Sequence, residues 1–200
     1  MLHYLTWNKN LEPRICVIVP AYNEEQTIAK VISEIPRKIE GVSKVEVLVI
    51  DDGSRDNTSE AAKEAGADYI MRNTKNLGLA KSFQKGINKC LERGADIIVN
   101  TDADFQYNQK EISKLIRPIL EKKADIVSGN RQVEKLSHMT SSKKYGNLLG
   151  SRIVRICAGY KIKDASSGFR AYSKEAALKL FVLSDHTYTH ETLIRQAIKI

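Results

Sequence analysis

The strongest constraint on the fold is a repeated alternation of short apolar runs with stretches of helical spacing. Ile15-Cys16-Val17-Ile18-Val19, ended by Pro20, is the first apolar run, and Val45 to Ile50 and Asp96 to Asn100 repeat the pattern. Runs without polar alternation mark strands covered on both faces. Between the first two lies Glu24 to Ile35, with Ile28, Val31, Ile32 and Ile35 on one helical face and Pro36 as a stop. Thr58 to Ala65 is a second helix closed by Gly66, and Asn76 to Arg93 is a third with Gly94 beyond it. Tyr69 to Met71 and Asp125 to Ser128 read as strands, and Gln109 to Lys122 as a helix. Regular strand–helix alternation predicts an α/β protein with a mainly parallel sheet and helices on both faces.

Two hundred residues suit one domain with a full core. Residues 1–13 show no period and read as an irregular lead-in; 14–200 read as a single domain. After Gly129 the pattern changes. Arg131 to Ser142 is polar and reads as a loop, Lys143 to Ala158 as a helix, Gly168 to Tyr172 as a short strand, and Lys174 to Phe181 as a helix. Another helical stretch starts near His190, and the chain stops inside it without a cap at Ala197-Ile198-Lys199-Ile200, which reads as a domain cut short.

No apolar run approaches the ~20 residues that span a bilayer, and Met1-Leu2-His3-Tyr4-Leu5 lacks the blocks of a signal peptide. Cys16, Cys90 and Cys157 form no zinc pattern. Cys16 and Cys90 read as small core residues, which fits a reducing cytoplasm. The net charge of +8 favours anionic partners: nucleic acid, phosphorylated small molecules or an acidic membrane face. Nucleic acid fits worst, because the basic residues are not interleaved with aromatics and aromatic content is only 6%.

The chemistry lies at the strand ends, where open α/β sheets bind ligands. After the first strand, Pro20-Ala21-Tyr22-Asn23-Glu24 offers Tyr22 as a face for a base and Glu24 as an acceptor for donors on base or ribose. Neither a Gly-x-Gly-x-x-Gly nor a Gly-Lys-Ser loop stands there. Helix capping by Asn23 or Glu24 is the alternative. The second strand ends in Asp51-Asp52-Gly53-Ser54. Adjacent carboxylates repel and need donors or a cation; a bland turn is the alternative. Asn76, Gly78 and Lys81 stand at the start of a helix, an end that attracts anions, though Lys81 also suits a plain surface.

The apolar run Ile97-Ile98-Val99 delivers Asp102-Ala103-Asp104-Phe105-Gln106. In an extended segment alternate residues project the same way, so Asp102, Asp104 and Gln106 converge. Two carboxylates and an amide oxygen suit Mg²⁺ or Mn²⁺ with sites left for phosphate oxygens. A lone Asp-x-Asp is more often a helix-capping turn. Its position after two other polar strand ends, in the order base, ribose, metal and phosphate, favours a cation bridging a diphosphate.

Together, Pro20-x-Tyr22-Asn23-Glu24, Asp51-Asp52-Gly53-Ser54, Asn76-x-Gly78, Asp102-x-Asp104-x-Gln106, Gly129-x-Arg131 and Ser167-Gly168-Phe169-Arg170 resemble glycosyltransferase family 2 over residues 14–200. The resemblance implies the Rossmann-like GT-A fold, a nucleotide-sugar donor, Mg²⁺ or Mn²⁺, and inversion at the anomeric carbon. Asp-x-Asp-x-Gln is similar to the polyprenyl-phosphate branch that includes dolichol-phosphate mannose synthases. That implies metal binding by Asp104 and Gln106, with Asp102 as ligand or diphosphate-side partner, and base and ribose contacts from Pro20, Ala21, Tyr22, Glu24 and Asp52. Arg131 and Arg170 match arginines near donor or acceptor phosphate, where a guanidinium fork pairs with phosphate oxygens. Asp51, Ala103 and the Gly78–Lys81 turn complete the expected donor site.

A lipid phosphate acceptor is already ionised and needs no general base; a sugar hydroxyl needs one, for which Asp164 and Glu191 are candidates. His190 and Glu191 also read as helix caps. Lys143 to Ala158, apolar and basic, suits a helix lying on an anionic membrane surface, equally an amphipathic core helix. The expectation is therefore a hexosyltransferase from UDP- or GDP-sugar to a polyprenyl phosphate, working at the cytoplasmic face of a membrane. Its rivals are a family 2 enzyme acting on a saccharide hydroxyl and a non-catalytic nucleotide-sugar binding subunit. The Gln-x-x-Arg-Trp of processive synthases is absent from these residues.

Overall fold

The computed structural model describes residues 12–130, 145–146, 149–153, 156, 164–182 and 188–189. Among these, six strands form one sheet in the order β3-β2-β1-β4-β6-β5. They are β1 (Arg14–Ala21), β2 (Lys44–Asp51), β3 (Tyr69–Arg72), β4 (Ile97–Asn100), β5 (Ile126–Ser128) and β6 (Arg170–Ser173). β1 pairs in parallel with β2 and β4, and β2 with β3. β6 runs antiparallel between β4 and β5. The strand order reverses at β1, which opens a crevice beyond the carboxyl ends of β1 and β4.

The central strands are buried on both faces, and alternation divides their side chains between two cores. Ile15, Val17 and Val19 of β1, with Val45, Val47 and Val49 of β2 and Val99 of β4, face helices α1 (Ile28–Glu34) and α4 (Ile112–Leu120). Cys16, Ile18, Leu48, Ile50 and Ile98 face Phe83 and Ile87 of α3 (Leu79–Glu92) and Ala177 of the Lys174–Lys179 helix. Helix α2 (Thr58–Glu64) joins the first core through Ala62. Glycine is required at position 86, because a Cβ there would come within 2.6 Å of Ile18 Cγ2. The mainly parallel sheet with helices on both faces is thus the observed architecture.

Three expectations are corrected. The first and third helices start later than the expected Glu24 and Asn76, at Ile28 and Leu79. Glu24 to Thr27 form a turn, and the amides of Leu77 and Gly78 are held by Asp52 instead of a helical ladder. Cys16 and Cys90 are core residues, but they are also joined to each other as a disulfide between β1 and α3, with Cα atoms 5.9 Å apart. The stretch Gln109 to Lys122 is split into a 3₁₀ turn at Gln109–Glu111 and helix α4, with Asn108 capping the turn. In the Lys143–Ala158 stretch, the described residues 145–146, 149–153 and 156 are helical. The lead-in 1–11, the Arg131–Ser142 loop and the terminal helix lie outside the described residues.

Candidate active site

The loops after β1 and β2 hold each other before any ligand is considered. Asn23, in the left-handed region at φ 56°, donates its amide to Ser54 Oγ (3.0 Å), and its side-chain Oδ1 accepts from the Arg55 amide (2.8 Å). The Glu24 amide donates to Thr58 Oγ1 (2.8 Å), and the Glu25 carboxylate accepts from the Asn57 amide (2.9 Å). The amides at both helix starts are satisfied across the gap between loops, not within each helix. Gly53 makes the turn possible: its φ is 77°, and a Cβ would lie 2.6 Å from the Lys75 carbonyl carbon.

The adjacent carboxylates find their donors within the chain and have different tasks. Asp51 is fully buried. It accepts from the Ser54 amide (2.8 Å) and Ser59 Oγ, with Arg72 Nε 3.6 Å away. Burial alone would raise its pKa; the Ser54 and Ser59 hydrogen bonds and the Arg72 charge outweigh that and hold it below the usual carboxylate range. Asp52 accepts from Asn73 Nδ2 (2.7 Å) and the Leu77 amide (2.9 Å) at one oxygen and the Gly78 amide (2.9 Å) at the other. It therefore fixes the turn that opens α3.

The three strand ends meet at one cavity of about 390 Å³. Pro20, Ala21, Tyr22 and Glu24 form one wall, and Asp52, Gly78 and the unforeseen Leu79 and Ser82 form another. Asp102, Ala103 and Asp104 close the third side. Tyr22 is 40% exposed and free to lie against a planar group. Asn76 also lines the cavity. Leu79 and Ser82 carried no signal of their own, being the next residues on α3 facing the crevice.

The acidic loop is not the extended segment that was expected. It turns at Ala103–Asp104, Phe105 is left-handed at φ 62°, and Asp104 Oδ1 accepts from the Gln106 amide (3.1 Å). Asp102 and Asp104 line the first cavity, whereas Gln106 lines a second, on the other side of the loop. The turn breaks the period of two, and Gln106 lines the second cavity and not the first. The Ser167-Gly168-Phe169-Arg170 motif supports this loop. A Cβ on Gly168 would lie 2.6 Å from Asp102 Oδ1, so only glycine leaves room for that carboxylate. The Gly168 amide donates to Tyr107 Oη (2.9 Å), and its carbonyl accepts from Asn100 Nδ2 (2.8 Å).

Other expected site residues stand elsewhere. Arg170 is fully buried and donates to the Ala165 and Thr189 carbonyls at 2.8 Å each; it lines neither cavity, because β6 turns it into the protein. Asp164 is buried and accepts from the Ser166 amide (3.2 Å). Asp51 and Lys81 are not among the cavity-lining residues. Arg131 and Glu191 lie outside the described residues.

The donor set suits a hard divalent cation. Two carboxylates share one cavity wall, and Asp104 is exposed. Among the described residues no group of three His, Cys, Asp or Glu side chains gathers to form a closed metal cage. Mg²⁺ or Mn²⁺ held by one or two carboxylates and completed by phosphate oxygens and water matches such an open set.

A crevice at a strand-order reversal, lined by an acidic loop, on a six-stranded α/β sheet is the arrangement of a GT-A glycosyltransferase. Residues 16–181 match glycosyl transferase family 2, and the chain belongs to that family. It is 34% identical to a UDP-N-acetylglucosamine–dolichyl-phosphate N-acetylglucosaminyltransferase of Methanococcus voltae, covering 86% of this chain and 72% of that one. It is 31% identical to an undecaprenyl-phosphate mannosyltransferase of Micrococcus luteus, over 80% of this chain and 66% of that one. The solved glucosyl-3-phosphoglycerate synthase of Mycobacterium tuberculosis, in complex with Mn²⁺, UDP-glucose and phosphoglyceric acid, is similar with a TM-score of 0.68 and 23% identity, covering 94% of this chain and 66% of that one. At that identity the likeness bears on the fold alone.

Proposed function

We propose that this glycosyltransferase moves a hexose, with inversion, from a nucleotide diphosphate sugar to a polyprenyl phosphate. The observation that carries the reading is the cavity shared by Pro20, Ala21, Tyr22, Glu24, Asp52 and Asp102–Asp104. Relatives named for dolichyl and undecaprenyl phosphate support the acceptor class. Tyr22 stacks on the base, and Glu24 accepts from base or ribose. Gly78 and Leu79, in the turn that Asp52 fixes through the Leu77 and Gly78 amides, line the diphosphate side.

Asp102 and Asp104 would hold a divalent cation, which when bound stabilises the charge on the departing diphosphate as a Lewis acid. An acceptor phosphate oxygen forms the new bond to the anomeric carbon. The bond from that carbon to the β-phosphate oxygen breaks, and the nucleoside diphosphate leaves with the electron pair. The nucleophile carries no proton, so the step needs no base.

An acceptor held in a bilayer requires contact with its surface. Tyr145, Leu149, Ile153 and Ile156 are exposed at helical spacing, with Arg152 exposed beside them. Apolar and basic groups on one helix suit an anionic interface. No helix among the described residues is long and apolar enough to cross a membrane.

Thermal stabilisation by UDP and GDP, each with and without Mn²⁺, tests the donor site. One nucleotide should raise the melting temperature, and more so with the metal. Radiolabelled hexose should then pass to polyprenyl phosphate in the wild type, and Asp104→Ala should lose about a hundredfold or more of that turnover. Retained turnover in the variant would sink the metal role. Failure to co-sediment with anionic liposomes at low salt would sink the membrane contact.

A further inference from the structure

The acidic loop is a partition. Asp102, Ala103 and Asp104 face the first cavity, and two residues later Gln106 faces the second, which holds about 360 Å³. That volume is in the range of small-ligand pockets. The second cavity lies between α4, the end of β5 and the segment leading into β6.

Its floor is apolar, formed by Tyr107, Leu115, Val127 and Phe169, and its exposed rim is polar, formed by Gln106, Asn108, Glu111, Lys114 and Asn130. The Tyr107 and Phe169 rings stack with centroids 5.2 Å apart and an interplanar angle of 15°, giving a fixed aromatic surface. The Tyr107 hydroxyl already accepts from the Gly168 amide, and Lys114 at the rim is paired with Glu111 at 3.1 Å. Position 129 packs closely on Phe169: a Cβ on Gly129 would come within 2.8 Å of Phe169 Cδ1.

A sugar ring seated on this floor would bury hydroxyl groups against Leu115, Val127 and Phe169, away from the polar rim, and unpaired buried hydroxyls are costly. A branched hydrocarbon meets no such penalty and gains from each apolar contact. Gln106 places this apolar space next to the loop on which the donor diphosphate rests.

Given the acceptor class argued above, we propose that the second cavity binds the first isoprenoid units of the acceptor, those adjoining its phosphate. The phosphate then lies at the Gln106 edge of the partition, facing the anomeric carbon held on the other side. The site thus distinguishes prenyl phosphates from hydrophilic phosphates by the apolar segment next to the phosphate.

Steady-state kinetics of wild type and Val127→Phe, with polyprenyl phosphate and nucleotide-sugar varied in turn, test the assignment. The phenyl ring fills the cavity, so KM for the prenyl phosphate should rise about tenfold while KM for the donor changes by less than about twofold. The nucleotide–Mn²⁺ thermal shift reports that the variant is folded. In parallel, farnesyl phosphate carrying a photoreactive diazirine on its first isoprene unit is irradiated with the wild-type protein, UDP and Mn²⁺. Peptides containing Leu115, Val127 or Phe169 should be labelled.

An unaltered acceptor KM, a raised donor KM alone, or labelling confined to other peptides overturns the assignment while leaving the acceptor reading intact. Absence of wild-type turnover with every polyprenyl phosphate overturns the acceptor reading, and this assignment with it.

Discussion

Gly168 has the sharpest local consequence in the site. Its missing side chain is the space that the Asp102 carboxylate occupies, at 2.6 Å from where a Cβ would stand. Gly168→Ala should therefore displace Asp102 and lower turnover by about tenfold to a hundredfold while leaving the melting temperature within a few degrees, since the clash is with the movable end of the Asp102 side chain. Kinetics beside a thermal melt check this; unchanged turnover would mean that the placement of Asp102 is immaterial. The motif containing Gly168 was legible in the sequence, but the reason for the glycine was not. Asp102 and Gly168 are 66 residues apart, and only β4–β6 pairing brings them together. Arg170 shows the reverse case. Its place in the motif suggests a phosphate partner, whereas the structure buries it and sets two of its hydrogen bonds on the backbone carbonyls of Ala165 and Thr189.

Among elements, the start of α3 depends on one carboxylate from β2. Asp52 accepts from Leu77 and Gly78 amides and from Asn73, and these hold Gly78 at φ 91° at the helix start. Asp52→Ala removes the acceptor from three donors at once. Losing hydrogen bonds to a charged acceptor costs about 1.5–3 kcal/mol, so a drop in the denaturant midpoint and a weaker nucleotide-induced thermal shift should appear together. A loss of nucleotide binding without loss of stability would instead mean that Asp52 acts mainly on the ligand. Propensity placed the helix near here, because Ala80, Phe83, Ile87 and Cys90 recur at helical spacing. The start was misplaced by three residues, because a tertiary acceptor competes with the helical ladder for the first amides. The same competition, between the Asn23–Glu25 and Ser54–Thr58 loops, delays α1 to Ile28.

For the molecule as a whole, buried carboxylates tie stability to pH. Burial raises the pKa of both Asp51 and Glu46, but their partners win: Ser54, Ser59 and Arg72 for Asp51, and Lys44, Tyr69 and Arg14 for Glu46. Both folded values are below the unfolded ones. Their contribution is therefore present above the unfolded carboxylate pKa and is lost as pH falls through the depressed folded values. Denaturant midpoints measured from about pH 6 down to about pH 2 should fall steadily, and Asp51→Asn should flatten that slope. A slope unchanged in the variant would remove Asp51 from the account.

By itself, the sequence determined the layered α/β architecture, since continuous apolar runs alternating with helical patterns can bury themselves in few other ways. It also placed the polar residues at the ends of β1, β2 and β4, because strand ends and turn residues are local properties. Tertiary structure decided which of those residues share a cavity. It put Asp51 inside and Asp52 beneath the α3 turn, joined Cys16 to Cys90, and set Gln106 on the lining of the second cavity. Side-chain direction in a loop is set by contacts with segments distant in sequence. For the acidic loop those contacts come from Lys30 of α1, whose ammonium lies 3.9 Å from the Phe105 ring centroid, and from Gly168 beside Asp102.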